Sequence, residues 1–291
     1  MTRLASWADY GTHDESAYPE LWRGCVGAWA PCLGPTGTRL HDLSRYRNWG
    51  TLTNMDAATD WVVSGGRYAL DFDGTNDFVT MQRINAYSSI IFRTVSCWIK
   101  VNSFDGFLGT SDLISCDAIS GTREWIFSAR TSDANPSDAA LRLVILQDSS
   151  NFLAISTSTE VLQSGVWTHV AATHNGSFTF AGVRLFVNGI EQSTVDQSVG
   201  TFATPAVSTT TPLQFGVRYG NDGNDLYLNG QMDGQMLHNR VLSPTEMRTL
   251  ATRRGISYER RKRKQVHFNA AFFNPAWARN SNIILSPVGA A

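Results

Sequence analysis

The feature that most constrains the fold is a pair of strand patterns within residues 166–193. The first pattern alternates two sets of side chains with the period of a β-strand that buries one face. The two sets are Trp167, His169, Ala171 and Thr173 against Thr168, Val170, Ala172 and His174. A second strand, V-R-L-F-V, leads into Asn188-Gly189, which is a strong hairpin signal because a type I′ turn needs positive φ at both central residues. The stretch therefore predicts a β-meander.

Further strand patterns follow at short intervals, with no helical period between them. They cover residues 94–101, 113–116, 124–129 and 141–147. The intervening segments are rich in Ser, Thr, Asn and Pro, as surface loops are. This spacing predicts an antiparallel sandwich of two sheets. We expect Trp98, Trp125 and Trp167 to lie in its core.

Two motifs before residue 82 carry a family resemblance. The segment D-L-S-R-Y-R-N-W-G-T-L contains turn formers at Asp42, Ser44 and Asn48, after a first strand that we expect from Leu21. The segment Y-A-L-D-F-D-G-T-N-D-F-V-T-M then has the pattern strand, turn, strand. Together with the Trp-led strand and the Asn-Gly turn, these motifs resemble the laminin-G-like, concanavalin A-like jelly roll over about residues 24–250. The resemblance implies an all-β, two-sheet antiparallel jelly-roll sandwich.

One helix is predicted at residues 243–254. Ser243 is its expected N-cap, Pro244 occupies the first helical position, and Glu246 completes a capping box. Arg253 and Arg254 suit the C-terminal end of the helix dipole. We therefore divide the chain into an N-terminal arm (1–20), the jelly roll (21–254) and a C-terminal extension (255–291).

The C-terminal extension begins with a basic run. Residues 253–264 carry a net charge of +6, so the remainder of the chain carries −7, because the total is −1. The extension resembles the basic and then apolar tails of tailed-phage virion proteins, which implies that it docks on a partner. The docking residues would be Arg260, Arg261, Lys262, Arg263, Lys264, Phe272, Phe273 and Trp277. A solvated basic run is one alternative. Nucleic-acid binding is the less favoured one, because residues 260–264 contain no interleaved aromatic side chains.

Length and composition limit the class of protein. A chain of 291 residues can bury a sizeable core without disulfides. Its cysteine spacings match no zinc motif, and we expect buried free thiols rather than a Cys25–Cys32 disulfide. The N-terminus lacks the apolar segment of a signal peptide, and no apolar run reaches the roughly 20 residues of a membrane helix. We therefore expect synthesis in a cytoplasm and no membrane insertion, and the resemblance to tailed-phage virion proteins implies residence in a virion.

The sequence argues against catalysis. Jelly-roll glucanases carry their paired carboxylates on one strand as E-x-D-x-x-E, and none of the seven glutamates here lies in such a pattern. Serine-hydrolase, zinc-protease and P-loop motifs are also missing from the sequence. We expect a protein that is not an enzyme.

Metal and sugar ligands have candidates in the turns. Asp73, Asp77 and Asp233 match loosely the calcium-binding turns of the resembled family, with turn-forming carboxylates as the favoured alternative. The histidines are scattered, and His169 and His174 should point to opposite faces of one strand. Glycan binding in this family uses exposed aromatics, and the candidates that flank turns are Trp22, Trp49, Trp61 and Tyr219. For each of these aromatics, a place at the edge of the core is the favoured alternative.

These observations favour a structural protein of a tailed-phage virion. It would be a capsid decoration or a head- or tail-attached accessory protein. Its arms would hold it to other virion proteins and to further copies of itself, and its jelly roll would be exposed for contact with host-surface glycans. The alternative is a free carbohydrate-binding or adhesion module. A jelly-roll glycosidase is a third and less favoured hypothesis.

Overall fold

The computed structural model describes residues 16–104, 110–117, 123–131, 137–218 and 226–261. These residues form twenty β-strands, one α-helix and several single 3-10 turns. The strands are β1 (Cys25–Trp29), β2 (Arg39–Leu40), β3 (Gly50–Thr53), β4 (Trp61–Ser64), β5 (Arg67–Asp73), β6 (Phe78–Met81), β7 (Thr94–Val101), β8 (Thr110–Cys116), β9 (Trp125–Arg130), β10 (Asp138–Leu146), β11 (Phe152–Thr157), β12 (Leu162–Gln163), β13 (Thr168–His174), β14 (Val183–Val187), β15 (Ile190–Glu191), β16 (Thr194–Asp196), β17 (Leu213–Phe215), β18 (Val217–Arg218), β19 (Leu226–Tyr227) and β20 (Asn229–His238), and the helix is α1 (Pro244–Leu250).

The strands form two large antiparallel sheets. The eight-stranded sheet has the order β15-β14-β13-β7-β20-β5-β4, and β1 also pairs with β20. The ten-stranded sheet has the order β16-β11-β10-β9-β8-β17-β6-β3-β2, and β12 pairs with β10. The crossovers between non-consecutive strands make this an antiparallel two-sheet jelly-roll sandwich. The predicted fold class is confirmed.

The main core lies between the two sheets. Alternate side chains of both sheets meet there, as the period of two dictates. Trp29 and Phe215 pack edge to face with ring centroids 5.0 Å apart, and both are fully buried. Trp125 is also fully buried, and its indole N–H donates to the Tyr87 carbonyl at 2.8 Å.

Only one of the three predicted core tryptophans, Trp125, lies between the sheets. Trp98 is half-buried on the outer face of β7, where its ring centroid is 5.4 Å from that of His169. It points outward because its neighbours Cys97 and Ile99 point into the main core. Trp167 is half-buried beneath the guanidinium of Arg254. The prediction was wrong for Trp98 and Trp167, since a period of two shows that faces alternate but not which face is internal.

The predicted hairpin is confirmed. β14 and β15 are joined by Asn188 (φ 48°) and Gly189 (φ 74°), the two positive values of a type I′ turn. The prediction of one buried face on the preceding strand is wrong, because every residue of β13 is buried. His169 and His174 do lie on opposite faces of that strand, against Trp98 and Phe92 respectively.

A second layer covers the outer face of the eight-stranded sheet. Outward-facing side chains such as Ala171, Phe186 and Met236 form a second apolar cluster. Its outer half comes from helix α1, from the 3-10 turn Pro19–Trp22 and from the 3-10 turn Ile256–Tyr258. This layer explains why β13 is buried on both faces.

The helix begins where it was predicted to begin, but it ends earlier than predicted. The Ser243 hydroxyl accepts from the Glu246 N–H, and the Glu246 carboxylate accepts from the Ser243 N–H at 2.8 Å, which completes the capping box. The helix ends at Leu250, four residues before the predicted end. Arg254 instead reaches back across the sheet to the turn between β4 and β5.

The start of the jelly roll also differs from the prediction. Leu21 and Trp22 belong to the 3-10 turn Pro19–Trp22, and the first strand begins at Cys25. Pro19 favours such a turn because its φ is fixed, and Gly24 with φ 68° redirects the chain afterwards.

The two described ends of the chain lie side by side. Ser16 and Arg260 form an antiparallel bridge, and the Ala17 N–H donates to the Glu259 carbonyl at 2.7 Å. Residues 256–258 are buried against the sandwich. The domain limits at 20 and 254 stay predictions, but the packed body includes residues on the far side of both limits.

Two further expectations concern cysteines and membranes. Cys25, Cys32, Cys97 and Cys116 are buried and unpaired in this structure. Among the described residues, no helix has the length and apolar character needed to cross a membrane.

Candidate functional site

A polar groove crosses the outer face of the ten-stranded sheet near its β2 edge. In this region Leu40, Leu52, Val79 and Met81 point into the main core. The intervening side chains therefore face outward and line a groove of about 630 Å³. Its lining residues are Arg39, Arg47, Asn48, Trp49, Thr51, Thr53, Thr80 and Gln82. We call this surface the Trp49 groove.

The register of three strands sets the spacing of the polar groups. Arg39 on β2 lies opposite Thr51 on β3, and Thr51 lies opposite Thr80 on β6. Strands in a sheet are about 4.8 Å apart, so the three side chains form a row about 10 Å long. The Arg39 guanidinium can donate to the hydroxyls of a ligand, and the exposed Thr51 hydroxyl can donate or accept, whereas the Thr80 Oγ1 is buried.

Trp49 supplies the aromatic surface of the groove. Its side chain is 38% exposed, which is unusual for so large an apolar group. The ring stacks on His41 with centroids 4.8 Å apart and an interplanar angle of 23°, and the Arg39 guanidinium carbon lies 5.7 Å from the ring centroid. Burial and the charge of Arg39 lower the pKa of His41. These contacts hold the indole in place at the surface.

A buried carboxylate fixes the loop that carries Trp49. Asp42 is inaccessible to solvent and accepts from the N–H groups of Ala28 (3.0 Å), Ser44 (2.8 Å) and Asn48 (2.9 Å). Burial raises the pKa of Asp42, while these hydrogen bonds act to lower it. Asp42, Ser44 and Asn48 are thus turn formers, as the sequence predicted, and their turn presents Trp49.

The other predicted aromatic ligands do not join Trp49. Trp22 is buried in the second apolar cluster, with its indole N–H donating to the Ser257 carbonyl at 2.9 Å. Trp61 is buried in the main core, with its indole N–H 3.0 Å from the Gly37 carbonyl. The prediction of a glycan contact is therefore wrong for Trp22 and Trp61, because the side chain of each faces a core. Tyr219 lies outside the described residues.

The three predicted calcium ligands do not converge. Asp73 pairs with Asn229 across β5 and β20, and Asp233 lies four residues further along β20, about 13 Å away. Asp233 is buried, and its Oδ1 accepts from the Cys32 N–H at 2.9 Å. A site shared by all three carboxylates is therefore not formed, which corrects that prediction.

The two remaining carboxylates are engaged by their own turn. Asp73 Oδ1 accepts from the N–H groups of Thr75 and Asn76, and Asp77 Oδ2 accepts from the Asp73 N–H at 3.0 Å. Burial and the carboxylates of Asp73, Asp60 and Asp71 raise the pKa of Asp77 to about 6. No group of three or more His, Cys, Asp and Glu side chains suited to a metal occurs in the described residues. These contacts fit the turn-forming alternative, and calcium at this turn stays a prediction.

Only two of the predicted docking residues are described. Arg260 forms the bridge with Ser16, and the Arg261 Nε donates to the Ser16 carbonyl at 3.1 Å. The remaining docking residues lie outside the described residues. They are Lys262, Arg263, Lys264, Phe272, Phe273 and Trp277.

The buried acids of the described residues have structural partners. Glu124 accepts from the Ser89 and Ser208 N–H groups and pairs with Arg83 at 2.6 Å. Asp117 pairs with Arg123 at 2.9 Å, and Asp112 lies 3.4 Å from the Arg218 Nε. Carboxylates held in this way brace loops and strands, and no paired acids of a glycosidase were identified among them.

Most of the Trp49 groove was not predicted from the sequence. Thr51 and Thr53 flank Leu52, and Thr80 and Gln82 flank Met81, so a strict alternation placed these polar side chains on one face. The sequence alone shows this alternation. It does not show the cross-strand register that brings these side chains beside Trp49, because β3 and β6 are adjacent only in the folded sheet.

Comparisons with known proteins agree on the fold. A family model described as the concanavalin A-like lectin/glucanases superfamily matches residues 73–248. No curated protein matches the chain. The chain spans about half the length of the similar solved structures, whose identities of 13–16% indicate a shared fold.

Three of these structures illustrate the similarity. The binding domain of Paraclostridial mosquitocidal protein 1 has 16% identity and a TM-score of 0.54, with 79% of this chain and 52% of that chain covered. Botulinum neurotoxin type C, whose cell entry depends on interaction with two ganglioside molecules, has 13% identity and a TM-score of 0.58, with coverage of 81% and 52%. The binding domain of botulinum neurotoxin DC, in complex with rat synaptotagmin II, has 13% identity and a TM-score of 0.56, with coverage of 79% and 52%.

Proposed function

The chain belongs to the concanavalin A-like lectin/glucanase superfamily, and on that premise we propose that it is a non-enzymatic carbohydrate-binding module whose ligand occupies the Trp49 groove. The observation that carries the proposal is the exposed, immobilised indole of Trp49 beside a row of outward-facing polar side chains. Membership alone does not separate a lectin from a glucanase.

The physical argument rests on what a sugar ring presents. One face of a pyranose is lined by C–H groups. Transfer of these groups from water to the surface of an apolar ring is favourable. The rim of the pyranose carries hydroxyls, which need partners when they are desolvated. Trp49 offers the apolar surface, while Arg39 and Thr51 offer the polar partners. The loop is already ordered by Asp42, so binding loses little conformational entropy.

A glycan array with point variants tests this proposal. We expect the wild-type full chain to bind a defined set of neutral or charged glycans, and Trp49→Ala to weaken binding about tenfold, equivalent to about 1.4 kcal/mol. Tyr46→Ala is the matched control, because Tyr46 is an exposed aromatic (40%) outside the groove lining. Equal loss in both variants, or no loss in either, would contradict the proposal.

The absence of catalysis is a separate part of the proposal. It is supported by the partners of Glu124, Asp117 and Asp112, each of which is held by an arginine. We expect no release of reducing ends when the protein is incubated with any glycan that it binds. Hydrolysis that persists after repeated purification and is lost on substitution of a single carboxylate would establish a glycosidase instead.

We further propose that the module serves in a tailed-phage virion. The observation in favour is the pairing of residues 16–17 with residues 259–260, which brings the two described ends of the chain to one place on the sandwich. One partner surface could therefore contact both ends. The basic run supplies charge for an acidic surface of another virion protein or of a second copy.

Incorporation into particles tests the virion role. A chain ending at Arg261 should be missing from particles that take up the full chain, while Tyr46→Ala, with both arms intact, should be incorporated normally. Light scattering on the purified proteins should show self-association of the full chain only. Uptake of the shortened chain into particles would rule out anchoring by the C-terminal segment.

A further inference from the structure

A second groove lies on the same outer face, toward the opposite edge of the ten-stranded sheet. It has a volume of about 490 Å³ and is formed by β9, β10, β11 and β16. In the strand order, five strand spacings separate β10 from β3, so this groove is about 24 Å from the Trp49 groove. We call it the Arg142 groove. The carbohydrate proposal makes no use of it.

Two guanidinium groups line the Arg142 groove. Arg130 on β9 lies opposite Ala140, and Arg142 lies opposite Ser128, so the two arginines are diagonal neighbours on adjacent strands. Diagonal side chains of this kind are about 7 Å apart. Among the described residues, neither arginine has a hydrogen-bond or ion-pair partner within the groove.

Among the described residues, no acid forms a direct ion pair with Arg142. Its Nε is buried and has no hydrogen-bond partner. Burial, together with the charge of Arg130, lowers the pKa of Arg142 to about 10. Asp112 acts on Arg142 electrostatically, but its ion pair is with Arg218. Arg142 is half-buried, and a buried guanidinium nitrogen without a hydrogen-bond acceptor is costly, which favours a ligand that supplies an anion.

One of the described lining residues is an acid. Glu160 accepts from the Thr131 hydroxyl at 3.2 Å, which holds its carboxylate at that side of the groove. Among the described lining residues, two guanidinium groups and one carboxylate carry a net charge of +1. The groove as a whole therefore favours an anion.

The rest of the lining suits a sugar rather than a bare ion. Val195 and Val199 are exposed (39% and 47%) and form an apolar wall with Phe152. Ser158 adds a hydroxyl group to the lining, while the buried Ser156 hydroxyl donates to the Leu141 carbonyl. An apolar wall beside hydroxyls and a paired guanidinium matches a sugar ring that carries a carboxylate.

We propose that the Arg142 groove binds the carboxylate of an acidic sugar, either a uronate or a sialate. The carboxylate would accept from the guanidinium groups of Arg130 and Arg142, and the sugar ring would pack against Val195 and Val199. The site is independent of the Trp49 groove and does not require the carbohydrate proposal for that groove to hold.

Calorimetric titration of the full chain tests the assignment. The probes are trigalacturonate with its methyl ester as the neutral partner, and 3′-sialyllactose with lactose as the neutral partner. We expect one of the two acids to bind and its neutral partner not to bind. Arg130→Gln and Arg142→Gln should each weaken that binding at least tenfold, because each removes a charge-assisted hydrogen bond.

Matched variants separate this site from other effects. Arg184→Gln removes an exposed arginine from the other sheet and should leave the affinity unchanged. Trp49→Ala should also leave it unchanged, so failure of one site does not mimic failure of the other. Arg130 is exposed, so Arg130→Gln keeps the test informative if Arg142→Gln does not fold.

Several outcomes would overturn the proposal. They are binding of neither acid, equal binding of an acid and its neutral partner, and affinity that is unchanged in both groove variants. Inorganic phosphate that binds as tightly as the acidic sugar, with the same dependence on Arg130 and Arg142, would show that the groove recognises charge alone.

Discussion

At the scale of single residues, Arg254 connects parts of the chain that are far apart in sequence. Its side chain is only 6% exposed. The guanidinium donates to the carbonyls of Ser64 and Arg67, lies 3.9 Å from the Trp167 ring centroid, and is 3.8 Å from Asp233 Oδ2. Arg254 therefore ties the segment after α1 to the β4–β5 turn.

Substitution of Arg254 should lower the stability of the protein. Arg254→Ala leaves Asp233 buried without its cation, and we expect a loss of about 3–5 kcal/mol in the free energy of unfolding. Its neighbour Arg253 is the matched control, since its ion pair with Glu259 is half-exposed. Arg253→Ala should cost less than about 1 kcal/mol. Urea denaturation of both variants measures the difference, and equal losses would contradict the role given to Arg254.

Arg254 was expected to interact with the C-terminal end of the helix dipole, and in the structure it has other partners. A basic residue in the last predicted turn of a helix favours interaction with the helix dipole, and that local pattern is all that a sequence displays. The true partners, Ser64, Arg67 and Asp233, are brought to Arg254 by tertiary folding. Trp49 shows the same limit, because a position beside a turn also made Trp22 and Trp61 candidates and both of them are buried.

At the scale of elements, the Asn188-Gly189 turn packs directly on helix α1. A Cβ atom added to Gly189 would lie 2.7 Å from the Arg248 Cα and 3.1 Å from the Ala251 Cβ. The turn therefore needs glycine for two reasons, its positive φ and its close approach to the helix.

A pair of glycine substitutions separates the two reasons. Gly66, in the β4–β5 turn, has φ 77°, but an added Cβ there would meet nothing within 4 Å. Gly66→Ala should lower the free energy of unfolding by about 1–2 kcal/mol, because only the backbone conformation is unfavourable for alanine. Gly189→Ala should lower it by about 1–3 kcal/mol more, because the helix must also shift. Chemical denaturation measures both, and equal losses would show that the turn and helix do not pack as described.

Elements that are specified by neighbouring residues could be predicted from the sequence. The packing of other segments around them could not. The hairpin turn and the capping box are specified by residues adjacent in sequence, so both were found. The end of α1 at Leu250 is not marked by a glycine or proline at that point, and it follows from the path that carries Tyr258 back to the sheet. Burial of β13 on both faces likewise depends on a layer contributed by distant segments.

At the scale of the whole molecule, both described ends complete the layer over the eight-stranded sheet. Trp22 and Tyr258 pack edge to face with centroids 5.7 Å apart, and the Tyr258 hydroxyl donates to the Trp29 carbonyl at 3.3 Å. Residues beyond the predicted limit at 254 thus contribute to the stability of the sandwich. Hydrophobic periodicity and composition show where the sequence becomes basic, but not which of the following residues still pack on the sandwich.

Two truncations test this contribution. A chain ending at Arg261 retains every contact among residues 16–261, so we expect its free energy of unfolding to equal that of the full chain within about 0.5 kcal/mol. A chain ending at Arg254 loses the buried side chains of Ile256 and Tyr258, which should cost at least about 3–5 kcal/mol. Thermal unfolding of the three proteins gives the comparison. Similar midpoints for both truncated chains would mean that residues 255–261 add nothing.

The central claim is that a glycan binds at Trp49, and indole N–H resonances test it most directly. The chain has nine tryptophans, and Trp49→Ala identifies the resonance of Trp49 by its disappearance. On titration with a glycan that binds, we predict that the Trp49 resonance shifts progressively while those of the buried Trp29 and Trp125 stay in place. A titration in which the glycan binds and the Trp49 resonance does not move would contradict the claim.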